Sequence, residues 1–496
     1  MEEDIIVETT HGKVRGYSRR GVIKFKGIPY ASPPIGNLRF KAPAPVEPWS
    51  DVLDATKFSP VSIQPISRLD VREPMPQSEG ECLTLNIWTQ GLDNNKRPVM
   101  FWIHGGGFTT GNGAIYDGSR LVLRGDVVVV SINYRLGYLG FLYMPDMPDT
   151  TANAGLLDII AALQWVKENI LKFGGDPNSV TIFGESAGGM AVSTLLATPS
   201  AKGLFHRAIA QSGAANKFGF NPVSAIKVYE ELIQKLGVEK GDIEALRKLP
   251  AENFIVPEMG TEGFQARGLR VGPVVDNDIL PVHPLEGISK GFAKDIEVFI
   301  GTNLDESKLF LMWNPKAFGL TEEGLDKTIK AYMRFTKQKE TKAKGLIERY
   351  RELRKTPRNI ADAIITDYTF RIPSIRLAEA QSKYQRNVYM YLFTWQSPLG
   401  EGKFGAMHAL ELAFVFGLPG NEIGFIPART AETQRLSEQI MDAWIAFARS
   451  GNPNHENIPE LPPYDLKKRA TILFDKEVAI HNDPYGNERE SWEGIL

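Results

Sequence analysis

Cysteine is nearly absent: Cys82 stands alone in 496 residues, which excludes an intramolecular disulfide and a Cys-x-x-C metal or redox pair. No Asn-x-Ser/Thr sequon occurs. No apolar run approaches the ~18 uninterrupted residues of a membrane span. An excess of one charge is missing as well. The 57 basic and 59 acidic side chains leave a net charge of −2, with no electrostatic footprint for nucleic acid or an anionic membrane. No repeat, low-complexity segment or Pro/Gly/Ser linker divides the chain. The first residues, Met1-Glu2-Glu3-Asp4-Ile5-Ile6, are acidic where a secretory leader would be basic. These absences lead us to expect a soluble, cytoplasmic protein with no nucleic-acid or membrane partner.

What is present is a large core, 43% of residues being apolar. A chain this long buries about three quarters of its unfolded surface. Short strands are expected at Ile5–Glu8, Lys13–Tyr17 and Val22–Phe25, parted by His11-Gly12 and Arg20-Gly21. Leu83–Trp88, Val99–Ile103, Val127–Ile132 and Val180–Phe183 read as buried strands. Five of the six residues in Val127–Ile132 are β-branched and apolar, without polar alternation, which suits a parallel sheet covered on both faces. Before the last of these, Ile159, Leu163, Val166, Ile170 and Phe173 recur at spacings of 4, 3, 4 and 3, one stripe of a helix that Gly174-Gly175 would end. Strand, helix and strand then form a right-handed βαβ unit. Further strands are expected at Ala208–Gln211, Val298–Gly301 and Val388–Phe393, and a charge-rich helical insertion over roughly 321–386. The expectation is one α/β domain spanning 1–496.

Two motifs carry chemistry. Gly184-Glu185-Ser186-Ala187-Gly188 is a G-x-S-x-G placed after the strand Val180–Phe183 and before a helical stretch, Met190–Leu196. That setting makes a nucleophile elbow, a sharp turn that holds the serine hydroxyl clear of the sheet edge. His104-Gly105-Gly106-Gly107-Phe108 follows the strand Val99–Ile103, and glycines there leave backbone N–H groups open to a ligand. With the elbow, the loop reads as an oxyanion site whose donors would be Gly106, Gly107 and Ala187. Serine is a poor nucleophile until a histidine takes its proton and an acid orients that histidine. The chain order Ser, acid, His removes His11, His104, His206 and His283. Asp305-Glu306, just past the strand Val298–Gly301, supplies the acid, either residue qualifying. Of His408, His455 and His481, His408 has the best setting, between Gly405-Ala406-Met407 and a helix expected from Ala409.

The chain resembles the type-B carboxylesterases, the family of bacterial para-nitrobenzyl esterases and cholinesterases. Gly27-Ile28-Pro29-Tyr30-Ala31, Glu81–Trp88, His104–Phe108, Asn133–Gly137, Gly174–Pro177, Gly184–Gly188, Gln211-Ser212-Gly213, Asp305-Glu306 and Met407-His408…Glu411…Phe414–Gly417 carry the resemblance, in order and over nearly the whole chain. It implies the α/β-hydrolase fold, a large, mostly parallel central sheet flanked by helices, with a small N-terminal antiparallel sheet and helical insertions. It implies a carboxylesterase that hydrolyses a small neutral ester without cofactor or metal, through Ser186, Glu306 and His408 and an acyl-enzyme. It also implies supporting roles for Glu185 and Ser212. Phe108, Phe310, Leu311, Met312 and Trp313 are candidates for an apolar substrate pocket, although a run like the last four is more often simple core. Secreted members pair the cysteine matching Cys82 with a partner this chain lacks. The loop 61–80 holds no aromatic residue to seat a quaternary ammonium, so choline-ester specialisation is not expected. The same fold also serves lipases, thioesterases, amidases and non-catalytic adhesion proteins.

Overall fold

The computed structural model describes residues 3–66, 74–147, 149–214, 221–256, 269–312, 319–333, 341–418 and 429–496. Its internal contacts divide the chain into two compact units: Met1–Ile209 with Gly219–Glu258 and Arg270–Ile296, and Ala210–Phe218 with Met259–Leu269 and Glu297–Leu496.

The first unit begins with β1 (Glu3–Glu8), β2 (Lys13–Arg19) and β3 (Val22–Pro29), antiparallel neighbours joined by tight turns at the expected glycines. A short β4 (Leu53–Asp54) pairs with β2. Then come β5 (Thr84–Thr89), β6 (Arg97–Ile103), β7 (Val128–Ile132) and β8 (Gly175–Glu185), in the spatial order β3-β5-β7-β6-β8. The β5–β7 pair is antiparallel, whereas β6 runs parallel to both β7 and β8. Every residue of β7 is buried, as its unbroken run of β-branched side chains requires. The apolar stripe lies where expected: Ile159, Leu163 and Val166 are buried on the helix Ala154–Asn169, and Ile170 and Phe173 continue it in a 3-10 turn closed by Gly174 at φ +78°. The helix also buries Asp158, whose carboxylate takes the Arg135 guanidinium in two bonds of 2.6 and 2.8 Å. Nothing in the local pattern announces that ion pair.

The chain passes from the first unit to the second within β9 (Arg207–Gln211). In the second unit β10 (Glu297–Asn303), β11 (Val388–Phe393) and β12 (Ala470–Phe474) are parallel, and β13 (Ala479–Asn482) returns antiparallel. Phe299, Tyr391 and Trp444 pack as an aromatic core with ring centroids 5.0–5.2 Å apart. Between β10 and β11 the chain is helical, at Glu322–Met333, Thr341–Leu353, Pro357–Thr366 and Ile372–Gln381. A π-helical turn, Asp367–Arg371, joins the last two. Its ends are tied together by Arg371, which bonds Asp367 at 2.5 and 2.7 Å and reaches Glu488 at 3.0 Å. Among the described residues no helix is long and apolar enough to cross a membrane, and no cluster of His, Cys, Asp and Glu could hold a metal ion.

Candidate active site

In the first unit, Ser186 stands between the end of β8 and the helix Ala187–Leu195, which starts three residues earlier than its apolar pattern suggested. Its backbone sits at φ +57°, ψ −122°, a region that a non-glycine residue occupies only when its surroundings hold it there. Those surroundings are main chain. A Cβ on Gly184 would come 2.6 Å from the carbonyl carbon of Gly188, and one on Gly188 would overlap the carbonyl oxygen of Ile103. Both motif glycines are therefore steric necessities.

The parallel register of β6 and β8, with Ile103 beside Gly184, brings the glycine loop to the elbow. A Cβ on Gly105 would lie 2.7 Å from the Glu185 carbonyl and 3.1 Å from Ser186 Cβ. Gly106 and Gly107 have φ of +106° and +63°, and the Gly106 carbonyl accepts the amides of Thr109 and Thr110, closing the loop on itself. No described residue accepts a hydrogen bond from the amides of Gly106, Gly107 or Ala187. Tyr134 steadies the loop, stacking on His104 at 4.5 Å and donating its hydroxyl to the His104 carbonyl. Burial drives the His104 pKa down to about 4, so this imidazole stays neutral near pH 7. Glu185 is buried beside the same loop, and Phe108 is buried with its ring 4.9 Å from Phe141.

In the second unit, Glu306 and His408, 102 positions apart in sequence, share a hydrogen bond of 2.6 Å between Oε2 and Nδ1. Both are buried. The other Glu306 oxygen accepts the Asn303 amide at 2.7 Å. Asp305, the alternative acid, does not reach the ring. Instead it binds the backbone of Ala406. Phe310 and Phe370 flank the imidazole at centroid distances of 5.1 and 4.8 Å, Phe370 being delivered by the π-helical turn. Glu411 accepts from Asn303 Nδ2 at 2.7 Å and Gln211 Nε2 at 3.1 Å. Burial, and then the neighbouring Glu306, raise the Glu411 pKa to about 7. Ser212 takes φ +47° and donates its amide to the Gly301 carbonyl, while its buried Oγ has no hydrogen-bond partner among the described residues.

Asn303 and Phe370 escape a sequence reading: one is an ordinary strand end, the other an aromatic inside a helical insertion. The helix expected from Ala409 begins only at Leu412, because Ala409 adopts φ +64° and turns the chain just after the histidine. Upstream, Gly400–Gly405 spells G-x-G-x-x-G, yet it forms a short 3-10 turn rather than a strand-to-helix phosphate loop. Leu311 and Met312 close the helix Ser307–Met312, and Trp313 lies outside the described residues.

A carboxylesterase family model matches residues 3–492. The chain belongs to the carboxylesterase family. It is 40% identical to the para-nitrobenzyl esterase of Bacillus subtilis (strain 168), over 98% of both chains. It is 34% identical to the phenmedipham hydrolase of Pseudarthrobacter oxydans over 96% of each, and 35% identical to mouse cholinesterase over 91% of this chain and 80% of that one. Among solved structures, the Geobacillus stearothermophilus carboxylesterase EST55 at pH 6.2 superimposes with a TM-score of 0.87, at 38% identity and covering 98% of this chain and 99% of that one. A para-nitrobenzyl esterase structure gives 0.85 at 40% identity, with the same coverage. This carboxylesterase thus has the α/β-hydrolase fold of its relatives and hydrolyses carboxylic esters.

Proposed function

We propose that this carboxylesterase works through Ser186 as nucleophile, His408 as general base and acid, and Glu306 as the group that orients the histidine. The observation that carries the reading is the 2.6 Å bond between His408 Nδ1 and Glu306 Oε2. An Nδ1–H donated to the carboxylate leaves Nε2 as the acceptor, the tautomer a general base requires. Ser186 Oγ attacks the ester carbonyl as His408 Nε2 takes its proton, and Glu306 stabilises the resulting imidazolium. The tetrahedral oxyanion is met by the amides of Gly106, Gly107 and Ala187, whose freedom from other acceptors supports that role. His408 then protonates the departing alcohol, and water repeats the sequence on the acyl-enzyme. Glu185 and Ser212 are proposed as supporting hydrogen-bonding groups, Ser212 through a buried Oγ that no described residue occupies in the resting structure.

We take 1–496 to act as one catalytic domain, a reading supported by the single family model that matches residues 3–492. The substrate is read as a small neutral ester, and the para-nitrobenzyl ester named by the Bacillus relative is a suitable first compound. We also propose a cytoplasmic location, with which the buried free thiol of Cys82 is compatible. A fluorophosphonate probe, followed by peptide mapping, tests the nucleophile: a single adduct on Ser186 is expected, and modification elsewhere with full loss of activity overturns the assignment.

A further inference from the structure

The mechanism above uses Glu306 and leaves its neighbour Asp305 without a task. Asp305 makes two reciprocal bonds to one residue of the histidine loop. Its amide donates to the Ala406 carbonyl at 2.9 Å, and its Oδ2 accepts the Ala406 amide at 2.9 Å. The carboxylate is itself fixed, with Lys308 Nζ 2.9 Å from Oδ1 and Gln396 Nε2 3.3 Å from Oδ2. Gly405, at φ +56°, lies so close that a Cβ there would overlap Asp305 Oδ2. The next contacts follow in step: Asn303 Nδ2 donates to the Met407 carbonyl at 2.7 Å, and Glu306 takes the His408 ring. Three residues at the end of β10 thus hold three consecutive residues of the histidine loop, Ala406, Met407 and His408.

We propose that Asp305 is a positioning residue for His408, fixing the loop backbone at the height from which the ring meets Glu306. The proposal rests on the reading of His408 as general base. Because Ala406 and His408 are two positions apart, losing the carboxylate's half of this clamp leaves Ala406 on the main-chain bond alone and loosens the ring against the Glu306 carboxylate. Turnover then falls while substrate binding, which does not use this loop bond, is spared. Loss of alignment on the order of 1 Å is enough for large rate effects.

The test is a comparison of Asp305→Ala, Asp305→Asn and Gly405→Ala, with active sites counted by fluorophosphonate titration so that misfolded enzyme is excluded. For Asp305→Ala, kcat per titrated site should fall ~10–100-fold while KM changes less than about threefold. Asparagine keeps an oxygen acceptor for the Ala406 amide and should recover most of the lost kcat. Gly405→Ala, which crowds the same carboxylate, should reproduce the kcat-directed loss. Wild-type kcat per site in Asp305→Ala overturns the proposal, as does an asparagine variant no better than alanine. His408→Ala separates the two levels. If it retains turnover, the general-base reading itself fails; if it is inactive while Asp305→Ala is unaffected, only the positioning role fails.

Discussion

At the end of β8, Ser186 is held by main-chain crowding: Gly184 against Gly188, Gly188 against Ile103, and Gly105 against Glu185. Past the end of β10, the His408 loop is held mainly by side chains: the Glu306 carboxylate and two aromatic rings on His408 itself, the Asp305 carboxylate on Ala406 and the Asn303 amide on Met407. The first arrangement joins just two segments, 103–105 and 184–188, which the pairing of β6 with β8 sets side by side. The second gathers segments near 303–310, 366–371 and 405–411, joined only by folding. Repulsion at close range sets the geometry of one; directed hydrogen bonds in a dry interior set that of the other. A site fixed by crowding should fail when atoms are added, and a site fixed by bonding when they are taken away.

The largest effect expected is at the proposed nucleophile itself. Ser186→Ala should reduce kcat by about a million-fold while leaving the folded state intact, read by ester turnover beside a thermal melt. Removing charge from the bonded half comes next. Glu306→Gln, which presents its amide to the ring and favours the wrong tautomer, should cost ~10³–10⁴ in kcat with little change in KM. Adding a methyl to the crowded half should act on stability instead. Gly188→Ala should destabilise the fold by about 3 kcal/mol or more, measured as a urea midpoint, because its neighbour is a carbonyl that cannot move without shifting β6. A Gly188→Ala protein as stable as the parent would break the comparison. The smallest effect concerns Glu411, whose folded pKa of about 7 lies above its ordinary 4.5. Its contribution to stability is complete below the lower value and is lost as pH rises through the upper one. Glu411→Gln should therefore flatten the decline in urea midpoint between pH 5 and pH 8, by about 1–3 kcal/mol. Parallel profiles for the two proteins would show that the buried carboxyl carries no such penalty.

The same contrast explains what could be read in the residues. β7 and the stripe Ile159–Phe173 are legible because burial on a sheet or a helix imposes a period on the sequence. The elbow is legible because its glycines are required within two residues of the serine. The acid was not: residue order allowed Asp305 as well as Glu306, and only the resemblance preferred one. Which carboxylate meets the ring depends on how β10 ends, a matter of one residue's rotation along the chain. The π-helical turn and its Phe370 had no signal, since one wider turn leaves composition and periodicity unchanged. The left-handed Ala409 is hidden for the opposite reason, its residue type arguing for helix while the loop demands a bend. Asp158 and Arg135 were hidden because each stabilises the other across 23 positions, so neither looks buried alone.

The approach of Gly188 to the Ile103 carbonyl has a consequence for how such an enzyme diversifies. A contact made only of backbone atoms offers mutation nothing to adjust: any replacement at the glycine adds matter where none fits. Variation is thereby diverted to the surrounding loops, so preference for one ester over another is free to drift while the turn that carries the proposed nucleophile stays put.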